Sequence, residues 1–221
     1  QPWLGIFAES HLPFTVDHRN DPKLLAAAPT LPEMTTAALR RLERENHFLL
    51  QIEGGRVDHA AHLSDAAGMF HDLIALDEAL DLCLDFKRRH PDTLIVATTD
   101  HGTGGPSLNG TGTDYNRSVP LLRNAARIRG SYAEMIRKIQ GLADIEGETY
   151  KEEDQQTNQQ IDASQVIEII RAATDFKPSV RRAEKLLQFF ARKGDALYDL
   201  MNSGTAQLGQ MLGNYVGIGW T

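Results

Sequence analysis

Apolar residues recur along this chain with two different periods, and the period changes near the middle. The first half holds short apolar runs of strand length: Trp3-Leu-Gly-Ile-Phe7, His47-Phe-Leu-Leu-Gln-Ile52 and Thr93-Leu-Ile-Val-Ala-Thr-Thr99. The third is rich in β-branched residues and follows the helix-breaking Pro91-Asp92, as a buried strand should. Between the runs the spacing is helical. Leu31–Leu42 predicts a helix with Thr30 as its cap and Pro32 in its first turn. Ser64–Arg89 predicts a long helix burying Met69, Leu73, Leu76, Leu80, Cys83 and Leu84. Strand, helix and strand in succession predict an α/β fold, with a parallel sheet covered by helices.

Beyond Gly105 the pattern is different. Pro106 to Ser118 reads as a polar, glycine-rich loop, and Val119 to Leu212 reads as helical without a strand. Helices are predicted over Tyr132–Leu142, Ala163–Thr174, Val180–Lys193 and Thr205–Leu212. Glu146 to Gln160 is so polar that a solvated loop or disorder is expected. Asn214-Tyr-Val-Gly-Ile-Gly-Trp220 then predicts a returning strand. The expected division is residues 1–105 in an α/β unit, 106–212 in a mainly helical insertion, and 213–221 starting the return. Ile167, Ile169, Ile170, Leu186, Leu187, Phe189 and Phe190 in the insertion need burial, within the chain or as a lid or subunit contact.

Chemistry-bearing residues collect where the predicted strands end. Glu53, before Gly54-Gly55, stands at the carboxyl end of the second run, where open α/β sheets place their ligand sites. Asp58 and His62 are four residues apart at the start of a helical pattern, so they share a helix face and converge on one cation. Asp100 and His101 end the next strand, and a curled strand end lets both bind one metal. Carboxylate oxygen and imidazole nitrogen suit zinc, and two zinc sites a few Å apart would clamp a phosphoryl group from both sides. Taken singly, each motif is more often a surface turn or a solvated helix face; their joint appearance at successive strand ends favours the functional reading.

Neighbouring polar residues receive more modest roles. Arg56 binds phosphate or else serves as a salt bridge or loop anchor. His59 points about 100° around the helix from Asp58, so it supports its neighbours rather than a metal. His71 is expected to be a partly exposed helix residue, and His11, Asp17 and His18 to be surface polar groups.

Composition narrows the classes. Hydrophobic residues make up 41% and charged residues 24%, ordinary values for a globular chain with a core. A net charge of −7 argues against a nucleic-acid partner, yet it does not forbid a phosphate substrate, because bound metals dominate the local field. Cys83 is the single cysteine, so no internal disulfide forms, and it is expected to be a buried small hydrophobe. No apolar stretch has transmembrane length, so no membrane association is expected. The chain starts Gln1-Pro2 without methionine, which makes the lack of a signal peptide uninformative.

The run Phe48-Leu-Leu-Gln-Ile-Glu-Gly-Gly-Arg-Val-Asp-His-Ala-Ala-His62, followed by Asp100-His101, resembles the bacterial alkaline phosphatases. The resemblance implies a three-layer sheet sandwich with a helical insertion. It also implies a site with two zinc ions and one magnesium, which hydrolyses phosphate monoesters through a phosphoserine intermediate. By this resemblance Glu53 matches the magnesium ligand, Asp58 and His62 two ligands of the first zinc, and Asp100 and His101 two ligands of the second.

In that family the nucleophilic serine, a bridging aspartate, a hydroxyl ligand of magnesium and a phosphate-binding arginine lie in an amino-terminal half, of which nothing precedes Gln1. The remaining histidine of the first zinc follows a segment like Gly219-Trp220-Thr221, whereas all eight histidines here fall at or before His101. The expectation is a carboxyl-terminal portion that is inactive alone. Its partner would be the missing amino-terminal half, and its parent a periplasmic or extracellular enzyme for which a homodimer is allowed. The alternatives are a related metal-dependent phosphodiesterase, sulfatase or mutase, a binding or assembly module with vestigial metal sites, and a structural metal protein.

Overall fold

The computed structural model describes residues 2–108, 118–141, 161–191 and 203–220. Among them the chain forms α1 (Thr15–Asn20), α2 (Pro22–Ala27), α3 (Leu31–Leu42), α4 (Arg56–His62), α5 (Ala66–Arg89) and β1 (Ser107–Leu108). It continues with α6 (Ser118–Ala125), α7 (Tyr132–Ile139), α8 (Ala163–Thr174), α9 (Val180–Ala191), α10 (Gly204–Val216) and β2 (Ile218–Gly219). The predicted solvated stretch at 146–160 lies outside the described residues.

Helix starts follow local chemistry. The Thr30 hydroxyl accepts from the Glu33 amide while the Glu33 carboxylate accepts from the Thr30 amide, and Pro32 fixes the first turn of α3. Asp65 caps α5 by accepting from the Gly68 amide at 2.8 Å. Ser131 caps α7, and Asp162 with Gln165 forms a capping box on α8.

Three expected strands do not form ladders here. The runs at 3–7, 48–52 and 93–99 pair with nothing among the described residues, whose only sheet is an antiparallel pair matching Ser107 with Gly219 and Leu108 with Ile218. The physical reason is plain in the side chains: Trp3 is 70% exposed, Leu49 94% and Leu94 81%. A strand-forming pattern is a demand for neighbours, and the described residues meet it only in part: Phe48 packs edge-on against Phe86 at 5.9 Å, while Leu49 and Leu94 stand in solvent.

The long helix α5 also buries a different face from the one expected. Ala66, Ala67, Gly68, Asp72, Ala75, Ala79 and Phe86 are buried, whereas Leu73 and Leu84 are exposed and Cys83 is half-buried. Small side chains let α3 and α4 approach α5 closely, and that contact outweighs the pull of the larger apolar residues. Helix α10 corrects the end of the chain. Leu208, Leu212 and Val216 are all fully buried at helical spacing, so the helix runs past Asn214 and stops at Gly217, whose φ of 72° closes it. The returning strand is thereby confined to Ile218–Gly219.

The main core belongs to the helical half. Tyr132, Met135, Ile136 and Ile139 of α7 pack with Val166, Ile167 and Ile170 of α8, Leu186 of α9, and Leu208 and Leu212 of α10. Each such burial contributes about 1.5–3 kcal/mol. Ile169, Leu187 and Phe190 pack against this cluster, so these apolar residues of α8 and α9 find burial within the chain.

Two carboxylates tie that core to the first half. Asp65 is fully buried and accepts from the Tyr132 amide at 2.6 Å; Asp17 accepts from the Ser131 amide at 2.7 Å. Burial pushes the Asp65 carboxyl up to about 7 and the Asp17 carboxyl up to about 6, against the pull of those amide donors. Asp17 is therefore a junction residue, not a surface polar group. His18 is buried too, with its Nε2 within 3.1 Å of the Leu24 and Ala28 carbonyl oxygens, because α2 folds back over α1.

Candidate metal centre

Helix α4 begins directly after Gly54-Gly55 and carries Asp58 in its first turn, where the helix dipole favours a carboxylate, and His59 and His62 in its last. Ala60 and Ala61 are buried, and Ala60 lies so close to Gly68 that a Cβ there would stand 3.1 Å from it. That contact seats α4 on α5 and turns Asp58 and His62 outward, where the Asp58 Oδ2 lies 3.6 Å from the His62 Nε2.

The segment after residue 99 wraps onto the same helix. Asp100 Oδ1 accepts from the His101 amide at 2.9 Å, and the Thr99 hydroxyl donates to the His101 carbonyl at 2.8 Å. Gly104 has a φ of 68° and approaches the Ala61 carbonyl so closely that a Cβ would collide with it. This approach lays Thr103 against Asp58. The Thr103 hydroxyl donates to Asp58 Oδ1 at 2.6 Å and lies 3.1 Å from the His101 Nδ1. The His101 Nε2 in turn lies 3.3 Å from Asp100 Oδ2, and the His101 Nδ1 3.9 Å from Asp58 Oδ1.

Four of the five residues singled out from the sequence thus gather at one open face: Asp58, His62, Asp100 and His101. Glu53 does not join them by any hydrogen bond or ion pair among the described residues, and its Oε1 lies beside Gly55 instead. Among the described residues no three carboxylate, imidazole or thiol groups converge as a closed ligand set. The arrangement is two pairs, each of one carboxylate and one imidazole. Such a pair fits a zinc ion in donor type and leaves positions for further ligands. Hydrogen bonding from Thr103, helped by the nearby imidazoles, holds the Asp58 carboxyl below its usual range, which keeps it anionic for a cation.

Thr103 was missed by sequence reasoning. Its signal was a hydroxyl two residues after a ligand pair, in a turn read only for its glycines. Arg56, by contrast, faces inward. Its guanidinium lies 3.7 Å over the Phe14 ring, its Nη1 is 3.0 Å from the His59 Nδ1, and Asp72, Asp17 and Asp65 attract it. Of its two expected roles it fills the structural one, as a loop anchor. His59 serves that anchor and packs at a tilt against His11, ring centroids 4.2 Å apart. Burial and the Arg56 charge lower its pKa, so a neutral Nδ1 accepts from the guanidinium. His71 is half-buried, with its Nε2 shielded from water.

A sequence profile of the family described as alkaline phosphatase matches residues 1–178. The chain belongs to the alkaline phosphatase family. It is 34% identical over 144 residues to alkaline phosphatase 3 of Bacillus subtilis (strain 168), a match covering 65% of this chain and 29% of that one. It is 38% identical over 112 residues to the repressible alkaline phosphatase of Saccharomyces cerevisiae, covering 47% and 19% respectively. Among solved structures it resembles the Thermus thermophilus alkaline phosphatase, with a TM-score of 0.73, 29% identity, and coverage of 98% of this chain and 44% of that one. The fold is accordingly the α/β fold of alkaline phosphatases. The chain spans less than a third of the length of these two sequence relatives and under half of the solved structure. No described helix is long and apolar enough to cross a membrane.

Proposed function

We propose that this chain supplies metal-binding residues, on helix α4 and on the loop after residue 99, to an enzyme that hydrolyses phosphate monoesters. The observation that carries the reading is the gathering of Asp58, His62, Asp100 and His101 on one solvent-open face of an alkaline phosphatase fold. Asp58 and His62 would hold one zinc, Asp100 and His101 a second, and Glu53 a magnesium. Bound there, two divalent cations supply positive charge on both sides of a transferring phosphoryl group. The chain's own residues orient those cations and keep the face open to substrate. Asp100 is 85% exposed in its side chain, which suits a catalytic centre better than a closed structural one.

The nucleophilic serine, the phosphate-binding arginine and the remaining zinc ligand would come from sequence outside these residues. The chain alone is therefore inactive in this reading, and its partner is the amino-terminal portion of the same enzyme. A periplasmic or extracellular parent, as a homodimer, fits the family.

The test is zinc- and magnesium-dependent hydrolysis of p-nitrophenyl phosphate at alkaline pH. The chain alone should give none, and turnover should return when the amino-terminal portion of its parent and the segment bearing the remaining zinc histidine are both supplied. Asp100→Ala should remove nearly all of the restored rate together with bound zinc. Turnover and zinc content that survive Asp100→Ala would sink the ligand assignment.

A further inference from the structure

The Thr103 hydroxyl stands between the two ligand pairs, and it has a single proton. Its 2.6 Å separation from Asp58 Oδ1 is that of a hydroxyl donating to an ionised carboxylate, which can only accept. If the proton pointed elsewhere, two oxygens would face each other at that distance with nothing between them. The proton therefore lies toward Asp58. The contact of 3.1 Å with the His101 Nδ1 must then be accepted by the Thr103 oxygen, so Nδ1 carries the hydrogen. We infer that Thr103 is a positioning residue that sets the tautomer of His101 and selects the ligating oxygen of Asp58. The inference rests on the two-zinc reading for its consequence, but not for its hydrogen-bond geometry.

That consequence follows at both pairs. With hydrogen on Nδ1, Nε2 is the ring nitrogen left to face Asp100 Oδ2 across 3.3 Å, and a cation placed there would be shared by both. At the other pair, the hydroxyl occupies Asp58 Oδ1 and leaves Oδ2, the oxygen 3.6 Å from His62 Nε2, free for a metal. One side chain thus prepares both pairs, as hydrogen-bond partners of metal ligands do by fixing ring orientation and tautomer.

The experiment uses the full 221-residue chain, labelled with 15N. Long-range proton–nitrogen spectra are recorded without metal at about pH 8.5, where imidazoles are neutral, with His101→Gln to assign the ring. Wild type and Thr103→Ser should hold hydrogen on Nδ1. Thr103→Val, which keeps the shape and loses the hydroxyl, should revert to hydrogen on Nε2, the form free imidazole side chains prefer. Zinc titration against a chromogenic chelator should then give an affinity roughly 10- to 100-fold weaker for the valine variant and near normal for serine. Hydrogen on Nε2 in the wild type overturns the proposal, and that measurement needs no variant to fold. So does Nδ1–H in the valine variant, or undiminished zinc affinity there. A tautomer that follows the hydroxyl in a chain that takes up no zinc upholds the Thr103 geometry and defeats the two-zinc reading.

Discussion

The helices α7 to α10 and the three apolar runs of the first half have similar appetites for burial and opposite outcomes. Ile136, Ile170, Leu208 and Leu212 are sealed from water by one another, whereas Leu49 is 94% and Leu94 81% exposed. The difference lies in what each pattern needs. A helix satisfies its own backbone and needs only one apolar stripe covered, which a few neighbouring helices provide. A central strand needs ladder partners on both edges and cover on both faces. Chain segments close in sequence can close a helical cluster, but a parallel sheet gathers its strands from across a whole domain.

Substitutions sharpen this contrast, starting where the effect is largest. Ile136→Ala should lower unfolding stability by about 2–5 kcal/mol in urea titration, through lost burial and the cavity left behind. Asp65→Asn should cost about 1–3 kcal/mol, because the Gly68 and Tyr132 amides donate to different oxygens of Asp65 and the asparagine NH2 that replaces one of them cannot accept.

The same junction gives a pH dependence. Asp17 and Asp65 have folded pKa values of about 6 and about 7, above the ordinary aspartate value, so the folded chain holds protons that the unfolded chain releases. Their contribution is complete below about pH 4 and is lost as the pH rises through the folded values. Urea midpoints should therefore fall between those limits, and the Asp17→Asn, Asp65→Asn double variant should show a flatter profile. A profile as steep as that of wild type would remove these carboxyls from the explanation.

Smaller effects probe the first half. Thr30→Ala should cost roughly 1 kcal/mol through loss of the α3 cap, readable as a lower midpoint. Leu94→Ser should change the stability of the isolated chain by no more than about 0.5 kcal/mol, since this side chain stands in solvent. If Leu94→Ser proved as damaging as Ile136→Ala, the contrast between the two regions would fail.

Legibility in the sequence divides along the same line. The cap and first turn of α3 were readable from Thr30 and Pro32 because every partner lies within one turn. The extents of α8 and α9 were nearly readable from their apolar spacing. The runs at 48–52 and 93–99 carry a true strand pattern, but a pattern does not name the neighbours that would pair with it. The buried face of α5 was misjudged because large residues dominate a periodicity, while Ala66, Ala75 and Ala79 are the ones that admit neighbouring helices. Asp17 and His18 were misread since their burial depends on α7 and α2, which composition cannot position. In the candidate site, Asp58, His62, Asp100 and His101 stood out by residue type and spacing. Thr103 did not, because its meaning comes from a contact 45 residues away.

Gly104 carries no charge and no side chain, yet it decides how closely the loop bearing His101 lies on the helix bearing Asp58. Its left-handed backbone and its contact with the Ala61 carbonyl stitch the loop bearing His101 to the helix bearing Asp58. In a map of tolerated substitutions, position 104 would appear as a narrow gap. Every replacement there would pry the loop from the helix and part Thr103 from Asp58 while every side chain of the candidate site is still present.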